Sequence, residues 1–373
     1  ALWLKRRLFG KLVVYDIAIP MIVLTTAQFQ TFAGPVSSAP TAFPMLLIVL
    51  YCLAWAVERA LLRNALVLLF NFLLVYTGYG LFMGGVTIAL LAIECWRRRA
   101  EKRGLAILGL ALAVALLTVV SFLVDYDLDH FHTSVQQHGA PAWEYPLFAS
   151  LMFGRFVRLN PGGINWLTYV AALCGIGLFV LLVLALLIHL QRLCYRTGSV
   201  SDLIPRDGHA PECSGRSRSP FCNDRVSLVI VILLGYGLLF AMSTAMGRAA
   251  MGLNGSQSSR FVTLMIPAFL GLYFYLLTLD GWKFQRHCLL VFLILLVPGH
   301  LPLNLGEDHP ASSFSRPKRE WRDCYLRTED FEKCEAMSEF KLLPAEPPDE
   351  LRKKFDYLKQ HKLNLFLDQY RER

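Results

Sequence analysis

The sequence predicts an all-α polytopic membrane protein of about nine transmembrane segments, followed by a small extracytoplasmic appendage. Three observations predict it. First, the chain has 373 residues of which 55% are hydrophobic and only 17% charged, with a mean hydropathy of +0.45; soluble domains carry about 25% charged residues. Second, the apolar residues fall into long runs separated by short loops. Third, the 37 Lys and Arg residues, against 28 Asp and Glu, gather in those loops and leave a formal charge of +9. A basic surplus placed this way is the positive-inside pattern, which argues against nucleic acid as a partner.

By the criterion of roughly 20 apolar residues per span, the segments run over 12–33, 43–58, 64–78, 80–96, 104–124, 165–190, 226–246, 261–280 and 284–299. Thr77-Gly78-Tyr79-Gly80 separates the third from the fourth, which read as a tight helical hairpin or as a re-entrant pair. Lys5, Arg6, Arg7 and Lys11 precede the first segment, Arg59 and Arg63 follow the second, and Arg97, Arg98, Arg99, Lys102 and Arg103 follow the fourth. The 191–225 loop is also basic, and Lys283 and Arg286 lie between the last two segments. Nine crossings put all five groups on one face, which the rule makes cytoplasmic, with the N-terminus inside and the C-terminus outside. Lys5-Arg6-Arg7 precedes an apolar run without a small-residue cleavage site, so no cleavable leader is expected.

The 301–373 tail is charged and proline-containing, and Leu351, Phe355, Leu358 and Leu363 recur at near-helical spacing. It reads as a small extracytoplasmic domain, distinct from the 1–300 transmembrane domain. Cys324 and Cys334 would there lie in an oxidising compartment, as a disulfide or as two free thiols. Cys52, Cys95, Cys174 and Cys288 fall in or beside apolar runs and read as packing residues.

Two stretches on the outer face carry candidate chemistry. Asp125-Tyr126-Asp127-Leu128-Asp129-His130-Phe131-His132, with His138 and Glu144 beyond, alternates carboxylates and imidazoles at a helix mouth. Such donors could hold Mg²⁺, Mn²⁺ or Zn²⁺, with His130 and His132 as metal ligands. One of Asp125, Asp127 and Asp129 could instead be a general base for an acceptor hydroxyl. The bland alternative is a solvated loop whose acids pair with Arg155, Arg158 or Arg248. The second stretch, Gly247 to Arg260, holds Arg248 and Arg260 with Gly247, Gly252 and Gly255. Arginine matches phosphate oxygens bidentately, and glycines let backbone amides approach an anion. Arg248 pairing structurally with Asp125 or Asp127 is the competing reading.

Residues 146–163, with Phe148, Leu151, Met152 and Phe156 beside Arg155 and Arg158, read as an interfacial helix or as an ordinary connection. Within the spans, Asp16, Gln28, Gln30 and Asn71 are either functional or interhelical glue. No GxxxxGK[ST] phosphate loop or GxGxxG after a strand occurs, and no GxSxG elbow is convincing. Charged residues do not run through successive spans, which argues against a proton-driven pump and leaves a transporter the weakest of three readings.

Three motifs carry a family resemblance. Phe70-Asn71-Phe72-Leu73-Leu74-Val75-Tyr76-Thr77-Gly78-Tyr79-Gly80-Leu81 is one; Gly247-Arg248-Ala249-Ala250-Met251-Gly252 with Ser258-Ser259-Arg260-Phe261 is the second. The tail from Leu342-Leu343-Pro344 through Leu358 to Phe366 is the third. Together they resemble a group of largely uncharacterised bacterial inner-membrane proteins, similar in layout to membrane glycosyltransferases of the GT-C type. The resemblance implies a multi-pass bacterial inner-membrane protein acting on polyprenyl-phosphate-linked sugars at the outer face, and further membrane helices upstream of Ala1. Members commonly have tyrosine at the position of Phe261. GT-C enzymes also place a catalytic acid in the first outer loop, whereas residues 34–42 contain none. The alternative is a non-catalytic structural or lipid-binding subunit of a larger membrane assembly.

Overall fold

In hydrocarbon a helix satisfies its own backbone N–H and C=O groups, which is why runs this apolar become helices. The computed structural model describes residues 1–25, 28, 35–77, 80–97, 99, 102–124, 141–156, 166–195, 220–249, 252–253, 256, 258–300, 310–338, 348–361, 363 and 366. Every regular element among the described residues is helical. The chain divides into two compact units, Ala1–Leu301 and Pro302–Arg373.

The first unit contains α1 (Leu2–Phe9), α2 (Ala18–Val23), α3 (Pro35–Trp55), α4 (Ala60–Val75), α5 (Leu81–Arg97) and α6 (Lys102–Val124). It continues with α7 (Glu144–Phe156), α8 (Trp166–Tyr195), α9 (Pro220–Arg248), α10 (Ser259–Leu276) and α11 (Trp282–Leu296). Among the described residues, four stretches are long and apolar enough to cross a membrane: Gly104–Val124, Ala172–Leu193, Arg225–Arg248 and Trp282–His300. Val14–Val23, Ala42–Trp55, Ala60–Val75 and Phe261–Leu276 are apolar but shorter.

α9 is the axis of this unit and packs against α3, α5, α7, α8 and α10. Of its apolar window 78% is buried, against 22% in α6 and 28% in α8. The outward faces of α6 and α8 carry Leu110, Leu117, Val120, Leu173 and Leu184. That much contiguous apolar surface belongs against lipid, and the chain is a membrane-embedded protein.

Small residues set the tightest contacts. A Cβ on Gly237 of α9 would lie 2.4 Å from the Ala268 Cβ of α10, and one on Gly175 of α8 would lie 2.0 Å from the Ser150 carbonyl oxygen of α7. Without a hydrophobic drive between helices in lipid, such close approach supplies the van der Waals contact that holds them. α4 and α5 form an antiparallel pair. The Thr87 hydroxyl donates to Asn71 Oδ1 at 2.8 Å, and Arg63 meets Glu94 at 2.7 Å. Gly80 starts the return, where a Cβ would sit 2.1 Å from the Leu74 oxygen.

Two expectations need correction. The stretch 12–33 does not begin as one continuous helix. A 3₁₀ turn at Val14–Ile17 leads into α2, whose six residues end at the Leu24 cap. Pro20 has no N–H to donate back to Asp16, which weakens an α-helical continuation from the turn. The segment nevertheless follows α10 antiparallel, because Tyr273 donates to Asp16 at 2.6 Å and Thr263 donates to Gln28 at 2.9 Å. Residues 146–156 are likewise not an interfacial helix. α7 packs against α8, α9 and α10, with Phe148, Met152, Phe153 and Phe156 buried. Phe156 stacks on Phe269 of α10, with centroids 3.6 Å apart.

The basic groups meet at one end of the unit. Arg7, before the first apolar stretch, and Arg225, at the start of the α9 span, both reach Glu58, at 3.4 and 3.6 Å. His189, near the end of α8, bonds Ser227 at 3.0 Å. Trp3, Trp96 and Trp282 are exposed on the same end, and Arg99 lies 4.9 Å from the Trp96 ring centroid. Exposed tryptophan beside basic residues is the composition of a membrane–water boundary.

The second unit has α12 (Pro310–Thr328), α13 (Phe331–Met337) and α14 (Pro348–Gln360). Its core joins Trp321, Tyr325, Phe331, Phe355 and Phe366. Trp321 and Tyr325, one helical turn apart, stack with centroids 5.2 Å apart, and Phe355 meets Tyr325 edge-on at 4.8 Å. Burial, then the charges of Glu329 and Asp356, push the Tyr325 phenol above its usual range. Leu363 stays exposed although its spacing suggested the apolar stripe. Asp330 caps α13 by accepting from the Lys333 amide at 3.1 Å, and Cys324 and Cys334 are bridged, with S–S 2.04 Å.

Candidate functional site

The α9–α10 junction lies at the end opposite the Glu58 cluster, since Arg225 of α9 meets Glu58 and the helix runs on from there to Arg248, a stretch of 24 residues. Arg248 closes α9, and its guanidinium carbon lies 5.4 Å from the ring centroid of Phe261, in the first turn of α10. Phe261 is buried and meets Phe240 edge-on at 6.3 Å. A cation over a buried ring is held in place by its attraction to the ring face.

The glycines divide by role. Gly252 has φ 92°, a backbone region L side chains rarely adopt, and its amide donates to Ala249 O at 2.9 Å, turning the chain after α9. Gly247 lies in the last turn of α9, where a Cβ would meet nothing within 4 Å. That end of a helix presents carbonyls, so Gly247 does not offer an amide to an anion. Gly255 lies outside the described residues. Arg260 sits in the first turn of α10, and its side chain is likewise outside them.

Polar contacts brace this junction from below. Gln28 accepts from Thr263 and donates to the Val23 carbonyl. Thr25 donates to Gly299 O at 3.1 Å, and a His300 ring nitrogen bonds Met21 O at 2.7 Å. A Cβ at Gly299 would lie 2.7 Å from the Thr25 hydroxyl oxygen, so that contact needs glycine. Asn71, through Thr87, reaches Tyr51, whose hydroxyl lies 2.8 Å from the Thr87 oxygen. Gln28 and Asn71 therefore serve as interhelical bonds; Gln30 lies outside the described residues.

Asp125, Asp127, Asp129, His130, His132 and His138 lie outside the described residues. α6, which leads into them, has its last turns beside the end of α4. Tyr76 and Ser121 hydroxyls are 3.0 Å apart, and Tyr76 meets Phe122 edge-on. The chain thus enters the acidic stretch at the same end of the unit as Arg248. Among the described residues no group of three His, Cys, Asp or Glu could hold a metal ion. Of the described carboxylates in this unit, Asp16, Glu58 and Glu94 are each engaged by a cation.

A second polar constellation, at the basic end, was only half visible in sequence. Asp16 pairs there with Lys5 at 2.8 Å and accepts from Tyr273, which is 257 positions away. Tyr273 lies within an apolar run and shows no local signal of this role.

No known protein-family model, no curated protein and no solved structure matches the chain.

Proposed function

We propose that this membrane-embedded chain is a glycosyltransferase-like protein acting on lipid-linked glycans at the outer face of a bacterial inner membrane. Arg248 and Arg260 bind the phosphate or pyrophosphate of a polyprenyl-linked sugar, and Asp125, Asp127 or Asp129 supplies a general base or metal ligands. The observation supporting this reading is the meeting of Arg248 with Phe261. It brings the end of α9 to the first turn of α10, so two arginine positions and the start of the acidic stretch share one end of the unit. Arginine fits phosphate because its planar fork donates two parallel hydrogen bonds. The N-terminal turn of α10 adds a partial positive charge at the same place. The motifs resembling a group of bacterial inner-membrane proteins, whose layout is similar to that of GT-C-type enzymes, point to the same chemistry.

In vesicles, wild-type protein is expected to transfer sugar from polyprenyl phosphate donors, and Arg248→Ala and Arg260→Ala each to lose about a hundredfold, as when a preorganised donor to developing charge is removed. Retained transfer in both variants sinks the assignment. An alternative role, as a lipid-binding subunit without catalysis, is favoured by the cationic cleft at the other end. It predicts unchanged behaviour when Asp125, Asp127 and Asp129 are replaced by asparagine.

A further inference from the structure

A cleft of about 850 Å³ opens between the N-terminal segment and the start of α11. It is at the far end of α10 from Arg248: Phe261 and Leu277 are 16 residues apart, about 24 Å at 1.5 Å per residue. Lys11 and Val14 lie on one wall, and Arg286, Leu289 and Leu290 on the other. Trp282, also lining it, is 68% exposed, and Val14 is 88% exposed. In water such a rim would be costly; at headgroup depth an indole and a branched aliphatic chain are at home.

Both walls are held in place before anything binds. Lys5 is buried, pairs with Asp16 and donates to the Lys11 carbonyl, while the Val13 amide donates to Asp16 at 2.6 Å. These bonds fold residues 11–16 into a fixed wall. Opposite, Gln285 Nε2 donates to the carbonyls of Leu276 and Leu277, at 3.3 and 2.7 Å, pinning α11 to the end of α10. Gly281, at φ 86°, makes the reversal between them.

The charge is unbalanced. Asp16 already offsets Lys5, whereas Lys11 and Arg286 meet no carboxylate among the described residues. Two cations over a mostly apolar trough match a phosphodiester carrying acyl chains better than a soluble anion, which would gain nothing from Val14 and Leu290. Basic pockets between membrane helices on the positive side are suited to anionic headgroups.

We propose that this cleft binds one anionic phospholipid. Its phosphate is held by Lys11 and Arg286, and its acyl chain lies along Val14, Trp282 and Leu290. The site is independent of the proposed glycan site, because it uses other residues at the other end of the molecule.

The test reconstitutes the full chain in phosphatidylcholine nanodiscs with graded phosphatidylglycerol and counts lipid retained through detergent exchange by native mass spectrometry. Wild type should retain one phosphatidylglycerol in preference to phosphatidylcholine. Lys11→Gln with Arg286→Gln should weaken retention about thirtyfold, each surface cation contributing roughly five- to sixfold. Lys102→Gln, a basic residue of the same end outside the cleft, should leave it unchanged, and so should Arg248→Ala. Both cleft residues are exposed, so an unchanged melting temperature confirms that the double variant is folded. Equal retention of the two lipids, full retention by the folded double variant, or displacement by millimolar inorganic phosphate each overturns the proposal; the last would make the cleft a site for a free anion.

Discussion

Removing the Asp16 carboxylate should be among the most damaging single changes in the helical unit. Three donors converge on it: Lys5 Nζ at 2.8 Å, the Val13 amide at 2.6 Å and the Tyr273 hydroxyl at 2.6 Å. The Lys5 and Asp16 side chains are only 2% and 7% exposed, so solvent screens the pair little. In Asp16→Ala the Lys5 ammonium would keep only the Lys11 carbonyl among its described partners, and breaking a buried pair from one side costs about 3–5 kcal/mol. Replacing both partners by apolar residues of similar size, Lys5→Met with Asp16→Leu, should cost far less than the two single changes summed. Tyr273→Phe removes one bond of the three and should cost about 0.5–1.5 kcal/mol. Reversible unfolding of the detergent-solubilised protein in a sodium dodecyl sulfate titration, followed by tryptophan fluorescence, would measure all five variants. If Asp16→Ala costs under about 1 kcal/mol, or the cycle shows no coupling, the carboxylate is not what holds the first segment to α10.

Two further outcomes follow from particular contacts. Gly237→Ala should destabilise the helical unit by about 1–3 kcal/mol through overpacking, because its Cβ would meet Ala268, whereas Gly235→Ala, with nothing within 4 Å, should be nearly neutral; the same titration ranks them. In the second unit, Cys324→Ser with Cys334→Ser opens a loop with a sequence separation of 10. The chain-entropy relation puts the loss near 3 kcal/mol, read as a lower melting temperature with the helical unit unaffected.

Much of the helical pattern was legible because it rests on local properties. An apolar run in lipid has little choice but helix, and the lysines and arginines between runs mark which ends belong together. The pairing of Arg7, Arg225 and Glu58 shows three such regions meeting at one end. The candidate site was legible only as composition. Arg248 beside a glycine-rich turn is visible in sequence; that its guanidinium rests on Phe261 depends on α9 and α10 packing side by side. Gly247 and Gly252 look alike in sequence, yet one lies within a helix and the other at positive φ. The 3₁₀ turn that opens the first segment was not legible because hydropathy counts apolar residues and is blind to how the backbone winds. α7 was left between two readings because a short apolar helix with arginines has the same composition on a surface and in a core.

By itself, then, the sequence determined the material and the polarity of this protein: apolar helices, a basic end and a charged, helix-patterned tail. Tertiary structure alone decided which helix is central. α6, α8 and α9 are all long and apolar, and α9, the most buried, is slightly the least apolar of the three. In water burial follows hydrophobicity, but beside lipid a leucine facing a neighbouring helix and a leucine facing an acyl chain are almost equally well placed. What separates them is fit: the Gly237–Ala268 contact, the cation held against Phe261, and Asp16 reaching Tyr273 across 257 positions of chain.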